Sequence, residues 1–152
     1  MPQVDQLKPM SLFCHPVSHA SDIGGMDNHE KQAEIGAKIL AEGSSPYMRM
    51  GALIALTHHE CWGGSGYPSG IMGDEIPLAG RVMLFCGQYD ALRSQRPYKP
   101  SVDHRTTVKI LVEGDGRTRL EQFCPQVLDA FVSRDDDFER ISAVGGSTRR
   151  TN

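Results

Sequence analysis

Wherever apolar positions in this chain are organised at all, they follow a helical period. From about Met26 to Ala41, Ile35, Ile39 and Leu40 recur at helical spacing among Glu, Lys and Gln, which predicts an amphipathic helix stopping at Glu42-Gly43. Ser45-Pro46 reads as the next helix start, since a serine hydroxyl accepts from the first free amides and proline suits the first helical position. Met50, Leu53, Ile54 and Thr57 carry that helix toward His58. After Pro77, the positions Leu78, Val82, Phe85, Tyr89 and Leu92 form one apolar stripe and predict a helix to about Ser94, weakened by Gly80 and Gly87. Further helices are expected near Asp103 to Val112, on Val108, Leu111 and Val112, and from Pro125 to Phe131, on Val127, Leu128 and Phe131. No alternating pair of segments suggests strands, so the expected fold class is all-α.

The remaining stretches divide the chain. Pro2, Pro9 and Pro16 interrupt short apolar groups, so residues 1–25 are expected to be irregular. Gly63, Gly64, Gly66, Pro68, Gly70 and Gly73 preclude a regular element and let the backbone approach a ligand closely. Beyond Val132, the Arg-Asp-Asp-Asp run and the Gly-Gly-Ser-Thr-Arg-Arg ending read as a solvated tail. The expected organisation is an irregular segment 1–25, one helical domain 26–133 and a flexible tail 134–152.

Composition narrows the function classes. A chain of 152 residues allows one domain, and 39% hydrophobic with 23% charged residues sets it apart from disordered and disulfide-scaffold chains. With 16 basic against 19 acidic side chains the net charge is −3, which argues against binding a nucleic-acid polymer. Cys14, Cys61, Cys86 and Cys124 are widely separated with no CxxC pair, so reduced thiols are expected. No apolar run is long enough for a membrane span, and the N-terminus lacks a signal-peptide pattern, so a cytoplasmic protein is expected.

The chemistry concentrates in His58-His59-Glu60-Cys61-Trp62-Gly63-Gly64-Ser65-Gly66-Tyr67-Pro68. Adjacent histidines project about 100° apart on a helix, so both serve one metal site only if the helix end abuts it. By spacing alone, capping or surface histidines are the favoured reading, because no HExxH pattern is present.

The whole string resembles the signature of the HD-GYP family, bacterial cyclic di-GMP phosphodiesterases built on the all-helical HD phosphohydrolase scaffold. That signature runs HHExWDGxGYPxGLxGxxIPxxARI, then a DVYDAL-like helix, then RPY and a basic residue. Here stand His58-His59-Glu60, Trp62, Gly64-Ser65-Gly66-Tyr67-Pro68, Gly70, Gly73, Ile76-Pro77, Arg81, Tyr89-Asp90-Ala91-Leu92 and Arg96-Pro97-Tyr98-Lys99. The resemblance implies a partial HD-domain helical bundle with a Gly-rich GYP loop, a divalent metal cofactor (iron or manganese), and cyclic di-GMP or a related dinucleotide as partner. It implies His58, His59 and Asp22 as metal ligands, Asp22 also as a catalytic carboxylate, and Tyr67, Arg96 and Lys99 as substrate-binding residues. Arg81, Arg93, Arg96 and Lys99 against the single Asp90 would supply a local basic patch.

The departures from the family pattern fall chiefly on metal ligands. Asp22 alone is left of an HDxGK motif, in Ser21-Asp22-Ile23-Gly24-Gly25, and it lies far closer to the next ligand position than the family's loop would place it. That next ligand histidine is Gln32, and the aspartate two residues before the Tyr of the DVYDAL helix is Gly87. Gly63 replaces the signature Asp, and Cys124 replaces an Asp that would cap the last helix. His29, one turn before Gln32, and Cys14, His15 and His19 are the alternative donors in sequence. The expectation is a metal-dependent phosphohydrolase domain with impaired catalysis. The alternative is a non-catalytic dinucleotide-binding or protein-interaction module that contacts a second copy or a signalling protein.

Overall fold

The computed structural model describes residues 26–95 and 100–147, with side chains from Lys31 to Ala143 apart from 96–99. Within them lie six α-helices and no strand: α1 (Met26–Ala41), α2 (Pro46–Thr57), α3 (Leu78–Arg93), α4 (His104–Glu113), α5 (Pro125–Val132) and α6 (Asp135–Ser147). Single 3-10 turns at Gly73–Glu75 and Leu120–Gln122 punctuate the connections.

The helix starts are set locally. Ser45 Oγ accepts from the Met48 amide with Pro46 at the first position of α2, and Asp103 accepts from the Thr106 amide at the start of α4. Cys124, in place of an aspartate, makes no side-chain cap for α5; its thiol donates to Gln126 Oε1 instead.

α1 and α2 form an antiparallel hairpin in which small residues permit close approach. A Cβ on Gly36 would touch Ala55 at 3.7 Å, and one on Gly51 would touch Leu40 at 3.4 Å. α2 then meets α3 where Gly80 backs directly onto Thr57, leaving no room for a side chain. The core gathers Leu84, Phe85, Tyr89 and Leu92 of α3 with Leu111, Phe123 and Phe131. Its aromatic rings pack edge-on and tilted, with centroids 4.8 Å apart for Phe85 and Phe131 and 5.7 Å apart for Tyr89 and Phe131.

Four expectations change. The buried stripe of α3 begins at Gly80 and Leu84, because Leu78 and Val82 are exposed. On α1 it is Ala33 and Ala37 that are buried, while Ile35 and Ile39 are exposed, since only small residues fit the tight seam with α2. The stretch read as a solvated tail is helical through Ser147: Asp135, Asp136 and Asp137 occupy the first turn, where the helix dipole favours anions, and Phe138 packs on Tyr89 and Phe131 at 5.4 and 4.9 Å. Of the cysteines expected to be reduced, Cys86 and Cys124 are free, whereas Cys61 is disulfide-bonded; Cys14 lies outside the described residues. No described helix is long and apolar enough to cross a membrane.

Candidate functional site

The site is built where α2 ends and the glycine-rich loop begins. His58 is the C-cap of α2, and its Nδ1 lies 2.9 Å from the Ile54 carbonyl and 3.0 Å from that of Ala55. A carbonyl only accepts, so Nδ1 carries a hydrogen, and in the neutral tautomer Nε2 is the nitrogen left as acceptor. The His59 ring follows 3.9 Å from that of His58, and Tyr67 stacks on His59 at 4.6 Å with 24° between planes. Three aromatic rings thus line up, the outer one supplied by the Gly-Tyr-Pro loop.

Backbone contacts bring Tyr67 there. The loop turns back so tightly that the Tyr67 amide donates to the His59 carbonyl at 3.2 Å, and a Cβ on Gly66 would fall among backbone atoms of His59, Glu60 and Cys61. Glu60 sits beneath, 1% exposed, with Oε1 accepting from the Ser69 amide at 2.7 Å. Burial pushes its carboxyl above the usual range, opposed by the amides of Ser69, Gly70 and Ile71. Glu60 is therefore the anchor of the loop's outer leg. Its signal in the sequence is an acid with no Lys or Arg between Met50 and Gly80, which must find its partners among backbone amides.

The base of the loop is tied to the rest of the fold. The Trp62 and Gly63 amides donate to the Gln122 and Glu121 carbonyls at 3.0 and 2.8 Å, and the Gly73 amide returns to the Trp62 carbonyl at 2.9 Å.

The arginines expected in a basic patch are engaged within the chain. Arg81 donates to Ile76 O and Asp74 O and pairs with Asp74 Oδ1 at 3.0 Å. Arg93 donates to Val102 O at 3.0 Å and to Ser142 Oγ at 3.3 Å. A Val102–Leu92 backbone bond closes the base of the connection that carries Arg96 and Lys99. Arg96, Lys99 and Asp22 lie outside the described residues, as do Cys14, His15 and His19; of His29 only the helical backbone is described.

The hairpin register locates the altered ligand positions. With Leu40 opposite Gly51 and Gly36 opposite Ala55, the register continued one turn along α1 carries Gln32 toward the end of α2, which stops at Thr57. Gly87 stands two helical turns beyond Gly80, on the α3 face that meets Thr57. Of these two positions, one carries an exposed amide and the other no side chain. Among the described residues no three His, Cys, Asp or Glu side chains converge on a point where an ion could sit. The described residues therefore do not fit a cluster of several ions.

Comparisons with known proteins agree with this geometry. A family profile described as HD domain matches residues 28–122. A cyclic di-GMP phosphodiesterase of Vibrio cholerae is 41% identical over 119 residues, covering 75% of this chain and 23% of its own. The cyclic di-GMP phosphodiesterase response regulator RpfG of Xanthomonas campestris is 35% identical over 133 residues, covering 88% of this chain and 34% of its own. A 3'3'-cGAMP-specific phosphodiesterase 2 of Vibrio cholerae is also 35% identical, over 75% of this chain and 21% of its own. The chain thus spans between about a fifth and a third of the length of these curated relatives. Since the profile covers more than half of the residues and the loop signature folds back onto the paired histidines, the chain belongs to the HD domain family and, within it, to the HD-GYP group.

Proposed function

We propose that this chain recognises a cyclic dinucleotide through the Gly-Tyr-Pro loop and the Arg96–Lys99 connection, and that its capacity for phosphodiester hydrolysis is impaired. The family generally binds divalent metals. In this chain His58 and His59, with Asp22, are the side chains left to hold iron or manganese, and the set is too small for several ions. The observation that carries the reading is the stack of Tyr67 on His59, with Gln32 and Gly87 standing in sequence where the family pattern has two metal ligands. The Tyr67 ring offers a face for a nucleobase. Arg96 and Lys99 supply cationic donors for phosphate, a role that Arg81 and Arg93 are not free to share. A cytoplasmic setting, where cyclic dinucleotide signals act, belongs to the same proposal.

The test pairs metal analysis of the purified chain with calorimetry and turnover assays on cyclic di-GMP and 3'3'-cGAMP. Binding with little hydrolysis is expected. Arg96→Ala should weaken binding by about 1.5 to 3 kcal/mol, the scale of a charge-assisted hydrogen bond, and His59→Ala should remove any residual metal. Efficient turnover by the unmodified chain would overturn the impairment, and equal affinity of the Arg96 variant would remove that residue from the site.

A second reading, self-association, has its own observation. Ile35, Ile39, Met50 and Leu53 leave an exposed apolar face on the α1–α2 hairpin. Beside it, a groove of about 750 Å³ is lined by Ala37, Ala41, Ala52, Leu53 and Leu56 and rimmed by Glu34, Lys38 and Arg49. Charges of both signs on one rim suit an isologous contact with a second copy. Sedimentation should then show a dimer that Leu53→Glu converts to monomer. A monomer at every concentration would rule this out.

A further inference from the structure

We infer that Arg81 is a positioning residue: its guanidinium clasps the two legs of the glycine-rich loop at their base and so sets where Tyr67 stands relative to His59. The inference rests on the proposed dinucleotide site for its functional consequence, and on geometry alone for the clasp itself.

The loop departs from Trp62 and returns through Asp74 to Ile76. One side chain touches both ends. The Arg81 guanidinium carbon lies 5.1 Å from the centre of the Trp62 ring, within cation–π range. On the returning leg, Nε donates to Ile76 O and Nη2 donates to Asp74 O at 3.1 Å, while Nη1 pairs with Asp74 Oδ1 at 3.0 Å. All three guanidinium nitrogens therefore have acceptors inside the chain, and the side chain is only 13% exposed. Arg81 also stands one residue after Gly80, which is pressed against Thr57 at the end of α2. The clasp is thereby mounted on the same helix junction that presents His58 and His59.

This arrangement differs from a phosphate-binding role. A cation reserved for an anionic ligand keeps donors open toward the site, whereas Arg81 holds backbone carbonyls that lack other described partners at the loop's base. A lysine could supply the charge but not the planar fork that reaches two carbonyls and an aromatic face together. The clasp complements Glu60, which holds the outer leg through the Ser69 amide. The loop is thus gripped by a buried carboxylate on one leg and a largely buried guanidinium on the other.

Trp62 is the chain's only tryptophan, so its fluorescence reports the clasp directly. The experiment compares the full chain with Arg81→Ala and Arg81→Lys by tryptophan emission, by chymotryptic cleavage after Trp62 and by cyclic di-GMP calorimetry. Arg81→Ala is expected to shift the emission to the red, to accelerate cleavage and to weaken dinucleotide affinity about tenfold, the scale of one lost charge-assisted hydrogen bond. Arg81→Lys should recover thermal stability while leaving emission and affinity altered; should the alanine variant fail to fold, this variant carries the test. Unchanged emission and cleavage in both variants would overturn the clasp. Loss of affinity without any change at Trp62 would also overturn it, because Arg81 would then be touching the ligand. If the unmodified chain binds no dinucleotide while the emission and cleavage changes appear, the clasp stands and the proposed function fails.

Discussion

Introducing Gln32→His and Gly87→Asp together is expected to raise both bound iron or manganese and cyclic di-GMP turnover, by about a hundredfold or more over the unmodified chain. The geometry singles out these two positions. The register of the α1–α2 hairpin carries residue 32 toward the end of α2, and residue 87 lies two turns along α3 from Gly80, which abuts Thr57. The substitutions would restore the imidazole and the carboxylate of the family pattern alongside His58, whose Nδ1–H is already held by the Ile54 and Ala55 carbonyls. Either substitution alone should raise metal content less than the pair, because ligands of one centre act together. Metal analysis after reconstitution and a linear-product assay read the outcome. If the repaired chain gains neither metal nor turnover, the loss lies elsewhere than at these two ligands. If the unmodified chain already matches it, the chain was never impaired.

Gly66→Ala should be severely destabilising, because its Cβ meets the closest backbone atoms found at any described glycine. The added Cβ would fall among the backbone atoms of His59, Glu60 and Cys61, none of which can rotate aside. The loop must then lift from α2, breaking the Tyr67–His59 backbone bond and the ring stack above it. A cost of about 3 kcal/mol or more is expected, at the upper end for overpacking. Gly73→Ala is the internal comparison. Nothing lies within 4 Å of its added Cβ, and only its φ of +58° is unfavourable, so about 1 kcal/mol is expected. Urea denaturation of the two variants separates them. Equal costs would show that the fold-back of the loop is not what makes glycine obligatory at 66.

Most of the helices were legible because their causes are local. Ser45-Pro46 marks the start of α2, and it does cap the helix as expected. The apolar stripe through Phe85, Tyr89 and Leu92 identified α3, although its outer members Leu78 and Val82 are exposed. α6 was missed because Asp135-Asp136-Asp137 looks the same whether it solvates a tail or complements a helix dipole; only Phe138, reaching Tyr89 and Phe131, distinguishes the two. Likewise a count of arginines near the site suggested a basic patch, and nothing in spacing could show that Arg81 and Arg93 are occupied by carbonyls brought near by folding.

By itself, the order of residues determined an all-helical chain with a glycine-rich interruption after paired histidines, since helix period, caps and glycine content act over a few positions. It determined equally that an amide and a bare glycine stand where imidazole and carboxylate would be needed. Only the tertiary structure decided which groups meet: that the loop folds back to seat Tyr67 on His59, that Glu60 and Arg81 hold its two legs, and that α1 and α2 close on each other at Gly36 and Gly51. Those contacts depend on close approach between segments distant along the chain, which small residues at Gly36, Gly66 and Gly80 permit and which no local pattern specifies.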